Sequence, residues 1–381
     1  MRKGWEYKKL GEVCAITMGQ SPDGNSINEV NGIEFHQGKT CFGERFLGIS
    51  SLYSNAPTKL AEAHSVLLCV RAPVGYPNIT DRKICIGRGL CALYAKREID
   101  NSFLYYSLLG KQSYFEKNAT GSTFKAISSK IVSNTTLSIP SLSTQLAIVS
   151  ELDKINELIR LKKEQLKDFD NLAQSLFYEM FGDPVENEKG WEAKKLGEIG
   201  EFKNGLNFSK DENGHSIKFL GVSDFQNKKS IASDQLDCIS LSECVQEDYL
   251  LKTGDIVFVR SNGKKELIGR SVKMYITEPT TYSGFCIRCR ITDEKVDKDY
   301  IAILLKTPII RQFMTNSGRG CNISNLNQKV LNSIPTILPP LPLQRLFAQR
   351  IEQIEREKSE VQKSIQDLET LLASRMQYWF E

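Results

Sequence analysis

The chain has 381 residues, of which 40% are hydrophobic and 25% charged, and its net charge is +4. This length and composition are typical of a soluble globular protein with two domains. No apolar run approaches the roughly 20 residues that a membrane helix needs, and the first residues lack the apolar core of a signal peptide. We therefore expect a cytoplasmic protein whose ten cysteines are reduced.

The opening segment of the chain occurs twice. Residues 4–13 (GWEYKKLGEV) return 186 positions later as residues 190–199 (GWEAKKLGEI). About 130 dissimilar residues follow each copy and end at a junction marked by Pro140 or Pro339. A repeat that surrounds unlike middles indicates one frame carrying two different globular segments.

Both middles contain short apolar runs, separated by glycine-rich turns and followed by helical patterns. We predict strands at residues 66–71, 83–86, 255–260 and 285–291, and helices at residues 102–110 and 300–315. This mixture predicts an α+β fold for each globular segment.

A long helical pattern follows each junction. Apolar residues recur at alternating steps of three and four from Ile148 to Met180, and again from Phe347 to Trp379. Each member of the second series lies 199 positions after its counterpart in the first. About five heptads of this pattern predict the seam of a coiled coil, although two amphipathic helices lying on a globular core remain an alternative.

The connectivity sets the direction of these helices. The first globular segment leads into the start of helix one, and the far end of that helix leads into the second segment. Short connections then require helix two to run back, antiparallel to helix one. We therefore predict two pseudo-symmetric globular α/β domains, separated by a long antiparallel two-helix coiled coil. The predicted division is residues 1–140, 141–183, 184–339 and 340–381.

The charge is unevenly distributed. Residues 1–140 hold 17 Lys and Arg against 11 Asp and Glu, and residues 191–340 hold 21 against 18. The helical segments are acidic, with 6 against 10 in residues 141–190 and 6 against 7 in residues 341–381. Positive charge confined to the globular segments favours a polyanionic partner there, although ordinary solvated lysines would give the same count.

No catalytic motif is recognisable. Residues 262–265 lack the glycine and the hydroxyl residue of a phosphate-binding P-loop. Cys286-x-x-Cys289 is the only CxxC pair, whereas a zinc site needs four ligands, so we expect no metal site. The chain is therefore predicted to be a non-catalytic protein.

Taken together, the motifs resemble those of type I restriction-modification DNA specificity subunits. The resemblance rests on the repeated GWExKKLGE segment and on several shorter motifs. These are VRAPVG at residues 70–75, IGRGL at 86–90, IPSLxxQ at 139–145, LPPLxxQ at 338–344 and EMFGDP at 179–184.

The resemblance implies two target-recognition domains, each reading one half of a bipartite asymmetric site in double-stranded DNA, with the coiled coil setting the spacer. It also implies two modification (methyltransferase) subunits and restriction (translocase and nuclease) subunits as partners. S-adenosylmethionine, ATP and Mg would be bound by those partners, and no cofactor by this chain. The alternatives are a specificity module of a type II-like system and a spacer that holds two protein-binding domains without contacting DNA.

Arginine suits guanine edges, Asn and Gln suit adenine, and cations position the phosphate backbone. Candidate DNA-contacting residues in the first domain are Lys39, Arg45, Arg71, Ser122 and Lys125. Those in the second domain are Arg260, Lys264, Lys265, Arg270, Arg319 and Asn322. Solvated surface residues and structural ion pairs are the alternative for each of them.

Lys162 and Lys358 occupy seam positions of the coiled coil, where a charge is costly. We predict that the modification subunits dock near these two lysines. The alternative is that both lysine side chains reach to solvent.

Overall fold

The computed structural model describes residues 4–121, 125–207, 210–226, 228–261, 267–316 and 326–380, with the backbone alone for 210–213. The chain divides into two compact units. One comprises Met1–Glu164 and Gln362–Glu381, and the other comprises Gln165–Val361. Both units combine helices with β-sheets, which confirms the predicted α+β class.

Among the described residues, the globular part of the first unit contains three small sheets and four short α-helices. In chain order its elements are β1 (Glu6–Lys9), α1 (Leu10–Val13), β2 (Cys14–Met18), β3 (Ile27–Asn28), β4 (Ile33–His36), β5 (Tyr53–Ser54), β6 (Leu60–Ala61), β7 (Val66–Cys69), β8 (Pro77–Ile79), β9 (Ile84–Ile86), β10 (Leu90–Ala95), α2 (Asn101–Gly110), α3 (Gln112–Asn118), α4 (Ser129–Asn134) and β11 (Thr136–Ile139). The sheets have the strand orders β1-β11, β2-β10-β7-β8 and β3-β5-β4-β9-β6. The strands predicted at residues 66–71 and 83–86 correspond to β7 and β9.

Two 40-residue helices follow the junctions, α5 (Leu142–Phe181) and α10 (Leu341–Phe380), and each contributes one part to each unit. The elements between them are β12 (Glu192–Lys195), α6 (Leu196–Ile199), β13 (Gly200–Asn204), β14 (Lys210–Leu220), β15 (Ser230–Ala232), β16 (Cys238–Leu241), β17 (Ile256–Val259), β18 (Ser271–Tyr275), β19 (Thr280–Tyr282), β20 (Cys286–Ile291), α7 (Lys298–Leu304), α8 (Pro308–Asn316), α9 (Gln328–Asn332) and β21 (Pro335–Leu338). The second unit's sheets have the orders β12-β21, β13-β20-β17-β18-β15 and β16-β14-β19.

Within each unit, the parts of α5 and α10 run antiparallel. In the first unit Glu151 bonds to Arg375 and Lys163 to Glu369, so the contacts advance along α5 while they recede along α10. In the second unit Asp170 bonds to Lys358, and further along α5 Phe177 packs on Phe347. The seam residues are buried, for example Leu152 and Ile365, or half-buried, as the heptad pattern predicts.

The repeated opening segment forms the same small structure in both units. β1 pairs antiparallel with β11, and β12 pairs antiparallel with β21. The one-turn helix that follows buries Leu10 or Leu196 completely. A side chain on Gly11 would place its Cβ 2.5 Å from Ser133 Oγ, and one on Gly197 would lie 2.1 Å from Asn332 Oδ1. The repeated glycine thus lies against the helix that precedes β11 or β21, where a larger residue would have to displace the Ser133 or Asn332 side chain.

The glutamine of each junction motif is buried and joins its helix to the globular part. Gln145 accepts a hydrogen bond from the Asp100 amide (2.9 Å) and donates to the carbonyls of Glu98 (3.0 Å) and Pro140 (2.9 Å). Its counterpart in the second unit is Gln344. Gln344 accepts a hydrogen bond from the Asp297 amide (2.9 Å) and donates to the carbonyls of Lys295 (3.3 Å) and Pro339 (2.7 Å). A glutamine suits this position because one side chain satisfies two carbonyls and an amide.

One predicted helix differs from the structure. Residues 300–315 form two helices rather than one, because α7 ends at Leu304 and α8 begins at Pro308. Proline has no amide hydrogen to continue the preceding helix, and it is favoured at the first position of a new one. The Thr307 hydroxyl donates to the Leu304 carbonyl at the break.

Candidate nucleic-acid interface

Exposed cations gather at the carboxyl end of β7 in the first unit. Arg71 pairs with Ala126 in a single β-bridge, and the Ala72 amide donates to the Lys125 carbonyl at 3.0 Å. Both Arg71 and Lys125 are exposed. Because the two chain segments cross at this bridge, the predicted residues Arg71 and Lys125 lie next to each other.

Arg88 joins the same surface from the turn between β9 and β10. The Val70 amide donates to the Gly89 carbonyl at 2.9 Å, which fixes this turn beside Arg71. A Cβ on Gly89 would lie 2.2 Å from the Gln37 carbonyl oxygen, so the chain is too close for a side chain there. Arg88 itself is exposed. Arg88 is not among the residues predicted from the sequence; the signal that points to it is an arginine flanked by two glycines within the motif at residues 86–90.

Lys39 completes the cluster. Its Nζ lies 3.4 Å above the centre of the Tyr76 ring, a cation–π contact, and the Tyr76 carbonyl accepts a hydrogen bond from Cys69. We call the four exposed cations Lys39, Arg71, Arg88 and Lys125 the basic rim. In the part of the chain that the structure describes, no member of the basic rim forms an ion pair with a carboxylate. The rim can therefore offer its charges to an anionic ligand.

Arg45 lies elsewhere. Its Nη1 is 2.5 Å from Asp153 Oδ1 on α5, and its guanidinium lies 5.4–5.6 Å from the rings of Phe46, Tyr105 and Tyr106. The Tyr106 hydroxyl donates to the same carboxylate oxygen at 2.6 Å. The guanidinium of Arg45 is half-buried and engaged in a structural ion pair with the helix, so a DNA contact by Arg45 stays a prediction that this pair does not favour.

In the second unit, Arg260 directly follows β17, one position earlier than Arg71 lies after β7. The Arg260 amide donates to the Phe285 carbonyl, and its own carbonyl accepts from Leu326. The Val259 amide donates to the Arg270 carbonyl, which places Arg270 beside it. Both arginines are half-buried. The predicted residues outside the described part of the chain are Ser122, Lys264, Lys265, Arg319 and Asn322.

Lys358 is engaged within the second unit. Its Nζ is 2.5 Å from Asp170 Oδ1, and its side chain is 17% exposed. Burial would lower the pKa of Lys358, but the hydrogen bond to Asp170 raises it. Lys162 is half-buried on α5.

The two long helices also carry exposed leucines. These are Leu142, Leu146, Leu158, Leu161 and Leu371 in the first unit, and Leu172 and Leu346 in the second.

The CxxC pair does not form a metal site. Cys286 belongs to one buried apolar cluster of the second unit and Cys289 to another, because residues three apart on a strand point to opposite faces of the sheet. Burial raises the pKa of each thiol to about 12. In the part of the chain that the structure describes, no group of three or more His, Cys, Asp or Glu side chains is arranged to hold a metal ion. None of the described helices combines the length and apolarity that crossing a membrane requires.

Comparison with known proteins identifies the family. The model of the type I restriction modification DNA specificity domain matches residues 2–168 and again residues 188–370. The chain belongs to this family. The type I specificity family thus accounts for both units and for the repeated opening segment of each.

Relatives in this family align along almost the whole chain. The MjaIX specificity subunit of the type I restriction enzyme from Methanocaldococcus jannaschii is 24% identical over 97% of this chain and 91% of its own length. The MjaVIII specificity subunit from the same organism is 22% identical over 97% of this chain and 92% of its own length. The MjaX specificity subunit of that organism is 36% identical over 45% of this chain, and this match spans only 41% of that relative.

Solved structures share the fold. The S subunit of the type I restriction-modification system from M. genitalium has a TM-score of 0.56 at 17% identity, over 99% of this chain and 96% of that one. A chain from a study of complex assembly and conformational transition of the type I R-M system has a TM-score of 0.69 at 19% identity, over 100% and 98% of the two chains. Two globular α+β domains and long paired helices are therefore the architecture of this specificity family.

Proposed function

We propose that this chain is the DNA specificity subunit of a type I restriction-modification complex. Residues 1–140 and 184–339 are the two target-recognition domains, and residues 141–183 and 340–381 are the spacer helices. Each domain reads one half of a bipartite, asymmetric site in double-stranded DNA. The observation that carries the proposal is the twofold family match around two unlike middles, one of which presents the basic rim.

The DNA-contacting residues we propose in the first domain are Lys39, Arg71, Arg88 and Lys125, together with Ser122. Cations that lack carboxylate partners suit phosphate oxygens, and arginine can also reach the O6 and N7 of guanine. In the second domain we propose Arg260 and Arg270, with Lys264, Lys265, Arg319 and Asn322 as further contacts. Arg45 is left out because Asp153 occupies it.

The helices set the distance between the two half-sequences in this proposal. A helix of 40 residues is about 60 Å long at 1.5 Å per residue. Inserting one heptad at matched levels of α5 and α10 adds about 10 Å, on the order of three base pairs. We expect the non-specific spacer of the target to lengthen while both half-sequences stay the same; a changed half-sequence would contradict the role of the helices.

The catalytic work belongs to partner subunits. Two modification subunits methylate the DNA with S-adenosylmethionine, and restriction subunits cleave it with ATP and Mg. The support is that the aligned relatives are named specificity subunits of restriction enzymes.

The modification subunits dock on the helices near Lys162 in the first unit and near Lys358 in the second, and the exposed leucines Leu158 and Leu161 beside Lys162 suit such a contact. Exposed apolar side chains on one element favour a protein partner. Leu158→Asp with Leu161→Asp should prevent co-purification with the modification subunit, whereas Lys363→Gln, an exposed change on α10, should not. Lys162→Glu with Lys358→Glu tests the lysines, and unchanged assembly would remove them from the docking surface.

The decisive experiment is methylome sequencing of the host before and after deletion of the gene. We expect one bipartite motif to lose its methylation, and restoring the chain should restore it. Binding of the assembled complex to a duplex carrying that motif should weaken steeply between about 50 and 200 mM salt. An unchanged methylome, together with binding that ignores salt and sequence, would favour the spacer that holds protein-binding domains.

A further inference from the structure

A small pocket in the second unit has a lining rich in cations. Its volume is about 270 Å³, and it lies between the turn before β15, the start of β18 and the junction of α7 with α8. Five cationic residues line it: Lys228, Lys229, Arg270, Lys306 and Arg311. Among the residues that the structure describes, no carboxylate lines it. We call it the cationic pocket.

The nearby carboxylates are each engaged with a lysine, and one of these lysines, Lys229, lines the pocket. Glu355 lies 2.6 Å from the Nζ of Lys229, and Asp299 bonds to Lys273. Within the described residues, neither Lys306 nor Arg311 forms an ion pair. The Lys306 ammonium donates to the Lys229 carbonyl at 2.7 Å, which holds it at the pocket.

This arrangement is electrostatically costly without a ligand. Burial, and then the charge of Lys229, lowers the pKa of Lys306 to about 7. Burial, and then the charge of Arg270, lowers the pKa of Arg311. Taking cations out of water next to one another is unfavourable unless an anion compensates them. A bound anion would supply this compensation.

The chemistry of the donors indicates which anion fits. A guanidinium presents paired N–H groups that match two oxygens of a phosphate, and an ammonium adds a point charge to the same group. One of the guanidiniums is oriented, because Arg270 Nη1 donates to the Gln226 carbonyl at 2.5 Å. Arg270 is also backbone-paired with Val259, directly before Arg260, so the pocket adjoins the proposed DNA-contacting end of β17.

We propose that the cationic pocket binds a phosphate group through Arg270, Lys306 and Arg311, and that in the DNA complex this group is a backbone phosphate of the duplex. The second part rests on the proposed function. A phosphate contact carries no sequence information, so the pocket positions the second domain on DNA and leaves base reading to other residues.

The test uses the full chain assembled with its modification subunits and the variants Arg311→Gln and Lys306→Gln. The matched control is Lys295→Gln, because Lys295 is exposed and follows β20, whose carboxyl end lies at the opposite end of the sheet from Arg260. Fluorescence anisotropy measures binding to a duplex with the methylated motif and to a shuffled duplex, from 50 to 200 mM NaCl. A second arm measures the thermal midpoint of the full chain with inorganic phosphate, against chloride at equal ionic strength.

We expect each variant to weaken binding of both duplexes by roughly 5–10-fold and to reduce the salt slope by about 1, while the control changes neither. Free of ligand, Arg311→Gln should melt no lower than the wild type, because it removes a desolvated cation. Arg311→Lys keeps the charge but not the paired N–H groups, so it should lose less affinity than Arg311→Gln.

If the variants bind both duplexes more weakly, the group held by the cationic pocket is a backbone phosphate of DNA. Unchanged duplex binding, with inorganic phosphate stabilising the wild type but not the variants, supports the pocket and assigns it to a free phosphate. Weakening of the motif duplex alone, or no effect in either arm, overturns the proposal. If the wild-type complex binds no DNA, the proposed function fails, and the phosphate arm still judges the pocket.

Discussion

The two units share a frame but differ in how their globular parts meet the helices. In the first unit, Arg45 and Tyr106 both bond to Asp153 on α5 and cover the helix there. In the second unit, Glu352 and Glu355 of α10 line an open cavity of about 750 Å³ instead. The junction glutamines, by contrast, make the same three hydrogen bonds in both. The two units keep the same glutamine where buried polar groups depend on its hydrogen bonds. They differ at the helix contact of the second unit, where water can reach the polar groups of the open cavity.

The largest expected effect breaks a half-buried ion-pair cluster of the first unit. Arg82 donates to both carboxylate oxygens of Glu34, at 2.6 and 2.7 Å, and the Ser50 amide donates to Glu34 as well. Arg82→Gln leaves Glu34 buried without its cation, so we expect a loss of about 3–5 kcal/mol in urea unfolding. The exposed change Arg97→Gln should stay within about 0.5 kcal/mol, and equal effects would contradict the role of the cluster.

The same cluster predicts a pH dependence. Burial alone would raise the pKa of Glu34, but hydrogen bonds from Arg82, Ser50 and His36 lower it to about 2. Because the folded pKa is depressed, the stabilisation is complete above about pH 4.5 and is lost as the pH falls towards 2. Unfolding free energy measured from pH 5 to 2.5 should fall less steeply in Arg82→Gln; parallel profiles would count against this account.

The shared frame is tested by replacing the junction glutamines. Gln145→Leu and Gln344→Leu each leave two carbonyls and one amide without their partner, which should cost about 2–4 kcal/mol. We expect the two losses in urea unfolding to agree within about 1 kcal/mol. Gln353→Leu, an exposed change on α10, is the control. A large loss in only one unit would mean that the frames are not equivalent.

The difference at the helix contact predicts unequal effects. Arg45→Met removes a half-buried ion pair, so we expect a loss of about 1–2 kcal/mol. Lys229→Met removes a pair whose lysine is 46% exposed, so the loss should be about 0.5 kcal/mol. Equal losses in the same urea titration would show that the open cavity of the second unit does not weaken its contact with α10.

The smallest effect concerns the seam. The counterpart of Lys358, 199 positions earlier, is the buried Ile159. Lys358→Ile gives the second unit the apolar seam residue of the first and removes a pair whose partner Asp170 is 61% exposed. We expect the stability to change by less than about 1 kcal/mol, with apolar packing offsetting the lost pair. A loss above 2 kcal/mol would show that the charge is required at this seam position.

The fold could be predicted where neighbouring residues form a hydrophobic pattern over a whole helix or strand. The heptads specified both helices, and the apolar runs specified β7, β9, β17 and β20. The two-residue strands β3, β5 and β6 have no comparable pattern, because their pairing depends on partners far along the chain. Pro308 lies within the predicted helix at residues 300–315 and could have indicated the break there. The continuous helical periodicity of the apolar residues favoured a single helix instead.

The candidate site was harder to predict because charge alone does not reveal a partner. Arg45 and Arg71 look alike in the sequence, yet the first meets a carboxylate 108 positions away and the second meets none within the described residues. The cationic pocket is assembled from segments between Phe225 and Arg311, and only Arg270 of its five cations was predicted. Such juxtapositions follow from tertiary packing, which periodicity does not encode.

The strand pair that closes each frame has an evolutionary consequence. Lys9 lies opposite Thr136, and Lys195 lies opposite Pro335, so the entry and exit of each variable middle are one strand spacing apart, about 5 Å. A different globular segment can replace the middle if its two ends lie as close together as these paired strands. Recombination between such genes can therefore exchange one whole specificity at a time while the receiving scaffold stays intact.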